Sequence, residues 1–267
     1  MKKDREKRID IFEDTINQIK NIEQLKQYTE NSKKNTILYK EDYIFDLPNN
    51  PNLNGTIKVI NSRTFKACNE LENVVVLNFA SATNPGGGVK TGSKAQEECL
   101  CRCSTLYPCL TQNHLFNDFY KYHRDRHNIF YTNRIIYTPN ITIFKEDIEE
   151  PKLMAMENWY QVDVITSSAP NLRLIEKFNE NELLKLLKSR IERIIQIAIV
   201  NRKQNIILGA FGCGVFKNPP YLVARAFKEV LDIYRNYFDN IIFAILITDE
   251  SNQIENNNFN IFSKILQ

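Results

Sequence analysis

The chain has 267 residues, 43% apolar and 25% charged, which is the composition of an ordinary soluble globular protein and excludes a disordered one. A formal net charge of +3 is small for this length, so charge alone argues for neither nucleic acid nor an anionic membrane surface as a partner. The length admits one large α/β domain or two smaller ones, and no run approaches the ~20 apolar residues of a transmembrane helix.

The N-terminus MKKDREKRID is charged and leads into an amphipathic pattern, so it reads as neither a secretory signal nor an anchor. An intracellular setting, cytoplasmic or nuclear, is expected, with the six cysteines reduced. Cys99, Cys101, Cys103 and Cys109 cluster without the paired C-x-x-C knuckles of structural zinc, so small buried thiols and no metal are expected.

In chain order, Arg5 to Ile22 places Ile9, Phe12, Ile16 and Ile19 on one stripe of a charged helix that should dock on the domain. Residues 25–39 give a weaker pattern. The Asn/Pro-rich DLPNNPNLNG ends at a short strand, Thr56 to Ile60, and Thr64 to Leu71 reads as helical. Val74 to Leu77 is a continuous run suited to a strand buried on both faces. Helices are predicted over Ala95 to Tyr107 and Asn113 to Tyr122, and one or two strands over Asn128 to Tyr137, ending at Pro139. A strand Val162 to Thr166, an amphipathic helix Glu182 to Arg202 and a strand Asn205 to Ala210 follow. A second glycine-bearing loop, FGCGVFKNPP, then a helix Tyr221 to Phe238 and a strand Ile241 to Thr248 complete the pattern. This alternation means α/β layering. The organisation expected is a helical N-terminal extension, residues 1–50, packed on a domain of residues 51–267.

Chemistry concentrates in NFASATNPGGGVKTGSKAQEE, Asn78 to Glu98. Ligands collect at the carboxyl ends of strands in α/β sheets, and both glycine loops follow predicted buried strands, so they should face one crevice. Gly86, Gly87 and Gly88 lack a Cβ and can adopt positive φ, which lets their amides address an anion such as a diphosphate. Taken alone, the triplet reads as a flexible loop. Neither loop has P-loop or Gly-x-Gly-x-x-Gly spacing. Glu97 and Glu98 open a predicted helix, where consecutive side chains diverge by about 100°, so they suit two different tasks in breaking a glycosidic bond. Acids in a first helical turn are also favoured by the helix dipole alone. His123 and His127 lie four apart in HRDRH without a third zinc ligand, and that charged stretch reads as a solvated face. Trp159 reads as core or pocket wall.

Together, GGG, seven residues and QEE, preceded by NFASATNP on a buried strand, closely resemble the signature of the microbial-type poly(ADP-ribose) glycohydrolases. DVITSSAPN (Asp163 to Asn171), LGAFGCGVFKNPP (Leu208 to Pro220) and RIDIFEDTI (Arg8 to Ile16) resemble further segments of that family in the expected order. The resemblance implies a macrodomain-like mixed sheet between helices. It implies binding of ADP-ribose and hydrolysis of the ribose–ribose O-glycosidic bond of the polymer. By motif, Glu98 would be the catalytic acid and base, and Glu97 its substrate-positioning neighbour. Gly86, Gly87, Gly88 and Val89 would form a first diphosphate loop and Gly212, Cys213, Gly214, Val215 and Phe216 a second, with the Phe216 ring against the terminal ribose. Asn84 would touch ribose and Gln96 would support the loop.

No cofactor is implied. The implied partners are poly(ADP-ribose) or ADP-ribosylated proteins, with ADP-ribose as product, and neither a membrane nor specific nucleic-acid binding; a monomer is expected. Two other activities fit the same residues: a mono-ADP-ribose hydrolase acting on protein or nucleic acid, and a non-catalytic ADP-ribose reader. Phe211 stands where the family often has Trp, and Ser167 and Ser168 replace residues that are often alanine. Lys90 and Lys94 flank the glycine loop, suited equally to steering the polymer or to solvation.

Overall fold

The computed structural model describes residues 2–68, 70–249 and 251–267. Two helices open the chain, α1 (Lys2–Asn21) and α2 (Glu23–Lys34), followed by strands β1 (Ile37–Tyr39), β2 (Thr56–Ile60) and β3 (Val74–Phe79). Helices α3 (Gln96–Cys103), α4 (Leu106–Leu110), α5 (Asn113–Leu115) and α6 (Tyr122–Arg126) come next, with a π-helical stretch, Phe116–Lys121, joining the last two. The remainder is β4 (Ile135–Ile143), β5 (Tyr160–Ser167), α7 (Glu180–Val200), β6 (Asn205–Leu208), α8 (Pro220–Tyr234), β7 (Asn240–Ala244) and α9 (Gln253–Leu266). The strands form one seven-stranded sheet in the order β1-β4-β5-β3-β6-β7-β2. Pairs β1–β4 and β4–β5 are antiparallel, whereas β3–β6, β6–β7 and β2–β7 are parallel. This is the mixed α/β sheet with flanking helices that the sequence implied.

The chain divides into two compact units: Met1–Tyr39, Asn78–Asn128 and Arg134–Ser167 in one, and Lys40–Leu77, Ile129–Asn133 and Ser168–Gln267 in the other. In the first, the buried face of α1 carries Phe12, Thr15 and Ile19, while Ile9 and Ile16 are only half-buried. The predicted stripe is thus rotated to put a threonine at its centre. Thr15 is fully buried because it has partners: its hydroxyl lies 2.7 Å from Arg102 O and 2.8 Å from the buried Lys145 Nζ. Lys145 Nζ also reaches Ile11 O at 3.1 Å and Asp14 at 2.7 Å. Ile19 and Leu25 pack with Phe144, and Trp159 lies against that cluster, as core wall.

Strand β4 runs past Pro139 instead of ending there. The register shifts between Thr138 and Ile141, so Pro139 falls at a bulge, where its missing N–H breaks no ladder bond. The neighbouring Asn140 has φ 54°, and its amide donates to Asp163 Oδ1 at 2.9 Å. The predicted single helix over Ala95 to Tyr107 is interrupted at Ser104, which bridges to Ile143.

Strand β3, whose residues Val74 to Leu77 belong to the second unit, is buried along nearly its whole length, as its β-branched run requires. Leu183, Leu187, Ile191, Ile194, Ile195 and Ala198 form the buried stripe of α7. The α9 helix was not evident in sequence. Only Asn258, Phe262 and Leu266 of it are buried, a spacing of four that its asparagines conceal, and Phe262 packs against Phe227 and Phe243. No described helix is long and apolar enough to cross a membrane.

Candidate active site

The first unit gathers both acids and the glycine triplet. Strand β3 ends at Phe79, and Ala80 continues the ladder by donating its amide to Ser167 O at 2.9 Å. No side chain caps the N-terminus of α3. Instead Gln96 Oε1 accepts the Phe79 amide at 2.8 Å, which pins the helix start to the strand end.

Glu97 and Glu98 are both buried, at 2% and 6% exposure, and they diverge as a helical step demands. Glu97 turns back to the strand end. Its Oε2 accepts the Ser81 amide at 2.8 Å, and its Oε1 lies 3.4 Å from Asn78 Nδ2. Asn78 Nδ2 also donates to Thr166 Oγ1 at 3.2 Å. Burial first, then the neighbouring Glu98 charge, pushes the Glu97 carboxyl up to about 8, against the hydrogen bonds that lower it. Near neutral pH this carboxyl therefore holds its proton.

Glu98 faces the glycine loop. Its Oε1 accepts the Gly88 amide at 2.8 Å, and its Oε2 is buried without a hydrogen-bond partner. A buried acceptor left without a partner is uncommon in native proteins and is concentrated where function requires it.

The glycines are needed here, though not quite as expected. Gly86 and Gly87 have φ of 69° and 58°. A Cβ on Gly87 would strike Glu98 Oε1 and sit 3.0 Å from Glu97 Oε2, and one on Gly86 would strike the Tyr107 ring. The amides of Gly87, Gly88 and Val89 are already engaged, with Asn84 O at 2.9 Å, Glu98 Oε1 at 2.8 Å and Gly86 O at 3.1 Å. At Gly87 the absent side chain makes room for the carboxylates, whereas at Gly86 and Gly88 it makes room for Tyr107 and Ser93. Val89 is buried, whereas Asn84 is exposed, with Arg124 Nη2 3.4 Å from its Oδ1 and bonded to Thr83 O.

Helix α1 braces this loop from behind. Arg8 Nε donates to Gly92 O at 2.7 Å, Arg5 Nε donates to Thr91 O, and Arg102 Nη1 donates to Ser93 O at 2.7 Å. Gly92 has φ 74°, and a Cβ there would collide with Arg5 O. Lys90 is exposed, its ammonium 5.7 Å from the Tyr107 ring centroid.

The second glycine loop belongs to the other unit. Gly212 has φ 74°, and a Cβ would collide with Ala169 and Asn218. Asn218 fastens the loop base by donating to Pro170 O at 2.7 Å and Gly212 O at 3.1 Å. Beyond it, the amides of Gly214, Val215 and Phe216 carry no hydrogen bond among the described residues, and Gly214 has open space around it. Three successive free amides form the kind of concavity that receives anions. Val215 is 59% exposed, and the Phe216 ring lies 6.2 Å from that of Tyr131. Cys213 is buried, and burial pushes its thiol up, so it stays protonated. Behind this loop the fully buried Arg190 of α7 donates to Asn133 Oδ1 at 2.7 Å, Phe130 O at 3.1 Å and Ser168 O. Phe211 is fully buried, so it retains the packing bulk of the aromatic it replaces. The Ser167 and Ser168 hydroxyls are buried without partners.

Several residues in these networks were not singled out in sequence. Asn78, Ser81 and Thr166 hold Glu97 through partners distant along the chain, and no spacing rule exposes them. HRDRH is not a uniformly solvated face: His123 is buried edge-on against Phe119 at 4.8 Å, because the π-helical stretch before it turns that side chain inward. No group of three or more His, Cys, Asp or Glu among the described residues is arranged to hold a metal ion.

Residues 8–146 match the family model described as microbial-type PARG, catalytic domain. The poly(ADP-ribose) glycohydrolase structure from Thermomonospora curvata is similar at a TM-score of 0.86 and 27% identity, over 98% of this chain and 100% of that one. The same organism's enzyme bound to the inhibitor ADP-HPD matches at 0.82 and 27%, over 97% and 99%. The Deinococcus radiodurans enzyme in complex with ADP-ribose matches at 0.76 and 30%, over 89% and 96%. No curated protein matches the chain. With the family model spanning more than half of the sequence and full-length structural counterparts, the chain belongs to the microbial-type poly(ADP-ribose) glycohydrolases, glycosyl hydrolases that act on poly(ADP-ribose).

Proposed function

We propose that Glu98 is the general acid and base with which this protein hydrolyses the ribose–ribose bond of poly(ADP-ribose). The observation that carries the assignment is its geometry: one carboxyl oxygen is anchored on the Gly88 amide and the other is buried and unpartnered. Glu98 protonates the leaving ribose oxygen, the glycosidic C–O bond breaks to an oxocarbenium-like sugar, and the resulting carboxylate takes a proton from the attacking water. ADP-ribose leaves and Glu98 regains its proton.

Glu97 takes the positioning role. With both oxygens oriented by Ser81 and Asn78, and its proton retained near neutral pH, it has a fixed O–H to offer a sugar hydroxyl. The free amides at Gly214 to Phe216 support a diphosphate role for Gly212 to Phe216. For Gly86 to Val89, the first diphosphate loop of this reading, the support is the positive φ of Gly86 and Gly87 and the lack of a Cβ on Gly87 beside the acids. Asn84 is the ribose contact of this reading, Phe216 packs on the terminal ribose, and residues 1–50 serve as a helical extension of a catalytic domain over 51–267. The substrate's own diphosphate steadies the developing cation.

The test is Glu98→Gln. ADP-ribose release from polymer should fall by about 10²–10⁴-fold, the usual worth of a positioned general acid or base, with ADP-ribose binding and circular dichroism retained. Wild-type turnover in the variant overturns the assignment. Incubating wild-type protein with polymer, mono-modified protein and modified nucleic acid, and measuring released ADP-ribose by mass spectrometry, fixes the leaving group. Binding without release in all three would leave a reader.

A further inference from the structure

The segment joining the glycine loop to β4 carries more positive charge than its surroundings neutralise. Lys121 is paired with Asp125, but Arg124 and Arg126 are exposed and have no carboxylate partner among the described residues. Their side chains are nonetheless held in place. The Arg126 guanidinium stacks 3.6 Å from the Tyr122 ring centroid, the Arg134 guanidinium lies 3.1 Å from the same ring, and Arg124 sits 5.5 Å from the Phe116 centroid. Arg134 is further anchored by donating Nη1 to Asp118 O. A guanidinium stacked by its face keeps its N–H rim available, and that rim matches the oxygens of a phosphate. Holding the side chain beforehand reduces the entropy lost when a phosphate arrives. The cluster is also tied to the site, because Arg124 reaches Thr83 O and Asn84 Oδ1 and the Asn84 carbonyl receives the Gly87 amide.

We propose that Arg124 and Arg126, with Arg134 bracing the Tyr122 ring, form a docking surface for the phosphates of poly(ADP-ribose) units outside the one being cleaved, giving the enzyme a preference for long chains. The inference rests on the polymer reading above. A polymer of ADP-ribose brings two phosphates per unit, and a surface contiguous with the loop beside the acids is where the chain leaving the cleavage site meets protein. A net charge of +3 over the whole chain does not attract a polyanion to one face; this local excess does.

The experiment uses the full chain carrying Glu98→Gln, so that polymer stays intact, with and without Arg126→Glu or Arg126→Lys. Dissociation constants for long-chain poly(ADP-ribose) and for free ADP-ribose are measured by fluorescence polarisation at two salt concentrations. Arg126→Glu should weaken long-chain binding about tenfold and reduce its salt slope by about one, while free ADP-ribose binds as before. Arg126→Lys, which keeps charge but loses the stacked fork, should fall between. Unchanged long-chain affinity, or equal losses for both ligands, overturns the docking surface. So does a single-stranded DNA that competes for the surface as strongly as the polymer does, since that marks a nucleic-acid site. Release of ADP-ribose from polymer by wild-type protein is scored separately: its absence overturns the reaction, whereas the ratio of long-chain to monomer affinity decides the surface.

Discussion

Glu97 and Glu98 are adjacent in sequence and nearly equal in burial, yet their surroundings differ in every bond they make. Glu97 accepts from Ser81 and Asn78, and Glu98 accepts from Gly88 alone. The raised Glu97 carboxyl has a consequence for stability. It titrates at its model value of 4.5 when unfolded and at about 8 in the fold, so its stabilising contribution is complete below pH 4.5 and is lost as pH rises through about 8. Glu97→Gln should therefore become progressively more stable relative to wild type across that window, by about 1.4 kcal/mol per pH unit at most. Urea midpoints measured at a series of pH values check this, and parallel profiles would contradict it. Gly87→Ala belongs at the same scale. Its φ of 58° disfavours a side chain, and its Cβ would strike Glu98, so a cost of about 1–3 kcal/mol should accompany loss of polymer turnover. Which acid points where was not legible in sequence, because Asn78, Ser81 and Gly88 reach the pair only through the fold.

Among the elements, α1 shows how an N-terminal helix supports a distant loop. Its inner face holds the loop through Arg5 and Arg8, and it encloses Lys145 with Asp14, Thr15 and Ile11. Although partial desolvation pulls upward, the Lys145 and Gln18 hydrogen bonds keep the Asp14 carboxyl below its ordinary value, so its contribution is present above pH 3.8 and lost as pH falls below it. Asp14→Asn leaves a buried ammonium with neutral acceptors only. The expected cost at pH 7 is about 1–2 kcal/mol, discounted because the carboxylate is half in water, and it should vanish in acid. Chemical unfolding of the variant at pH 7 and pH 3 tests both parts. The helical period of α1 was readable from its isoleucines and Phe12, but its exact inner face was not, because a threonine counts as polar until Arg102 and Lys145 supply its partners. Similarly, β4 passes through Pro139 because Asp163 on β5 takes up the Asn140 amide, and α9 buries a spacing of four that its asparagines mask.

For the molecule as a whole, six cysteines offer a direct check of the packing. Cys68, Cys101, Cys103, Cys109 and Cys213 are buried and Cys99 is partly exposed; none of the six forms a disulfide. Burial pushes the thiols of Cys101 and Cys103 well up, and that of Cys109 to about 12. Native protein should therefore react quickly with a thiol-specific chromogenic reagent at one site, Cys99, and at all six in denaturant; more than one fast thiol in the native state would contradict this burial. The expectation of small buried thiols holds for three of the four clustered cysteines, Cys101, Cys103 and Cys109. Local order set much of the architecture: the β-branched run before NFASATNP, the apolar stripe of α7 and the glycines at strand ends specify α/β layering, because side-chain period and backbone freedom are properties of neighbouring residues. The pairing of GGG with QEE, together with the segments around Asp163 to Asn171 and Leu208 to Pro220, likewise indicated the family. Only the tertiary structure decided that Gly87 makes room for the two acids while the amides at Gly214 to Phe216 carry no hydrogen bond among the described residues, and that burial pushes the Glu97 carboxyl up. Those outcomes depend on burial and on hydrogen-bond partners far apart in sequence, which exist only once the chain has folded.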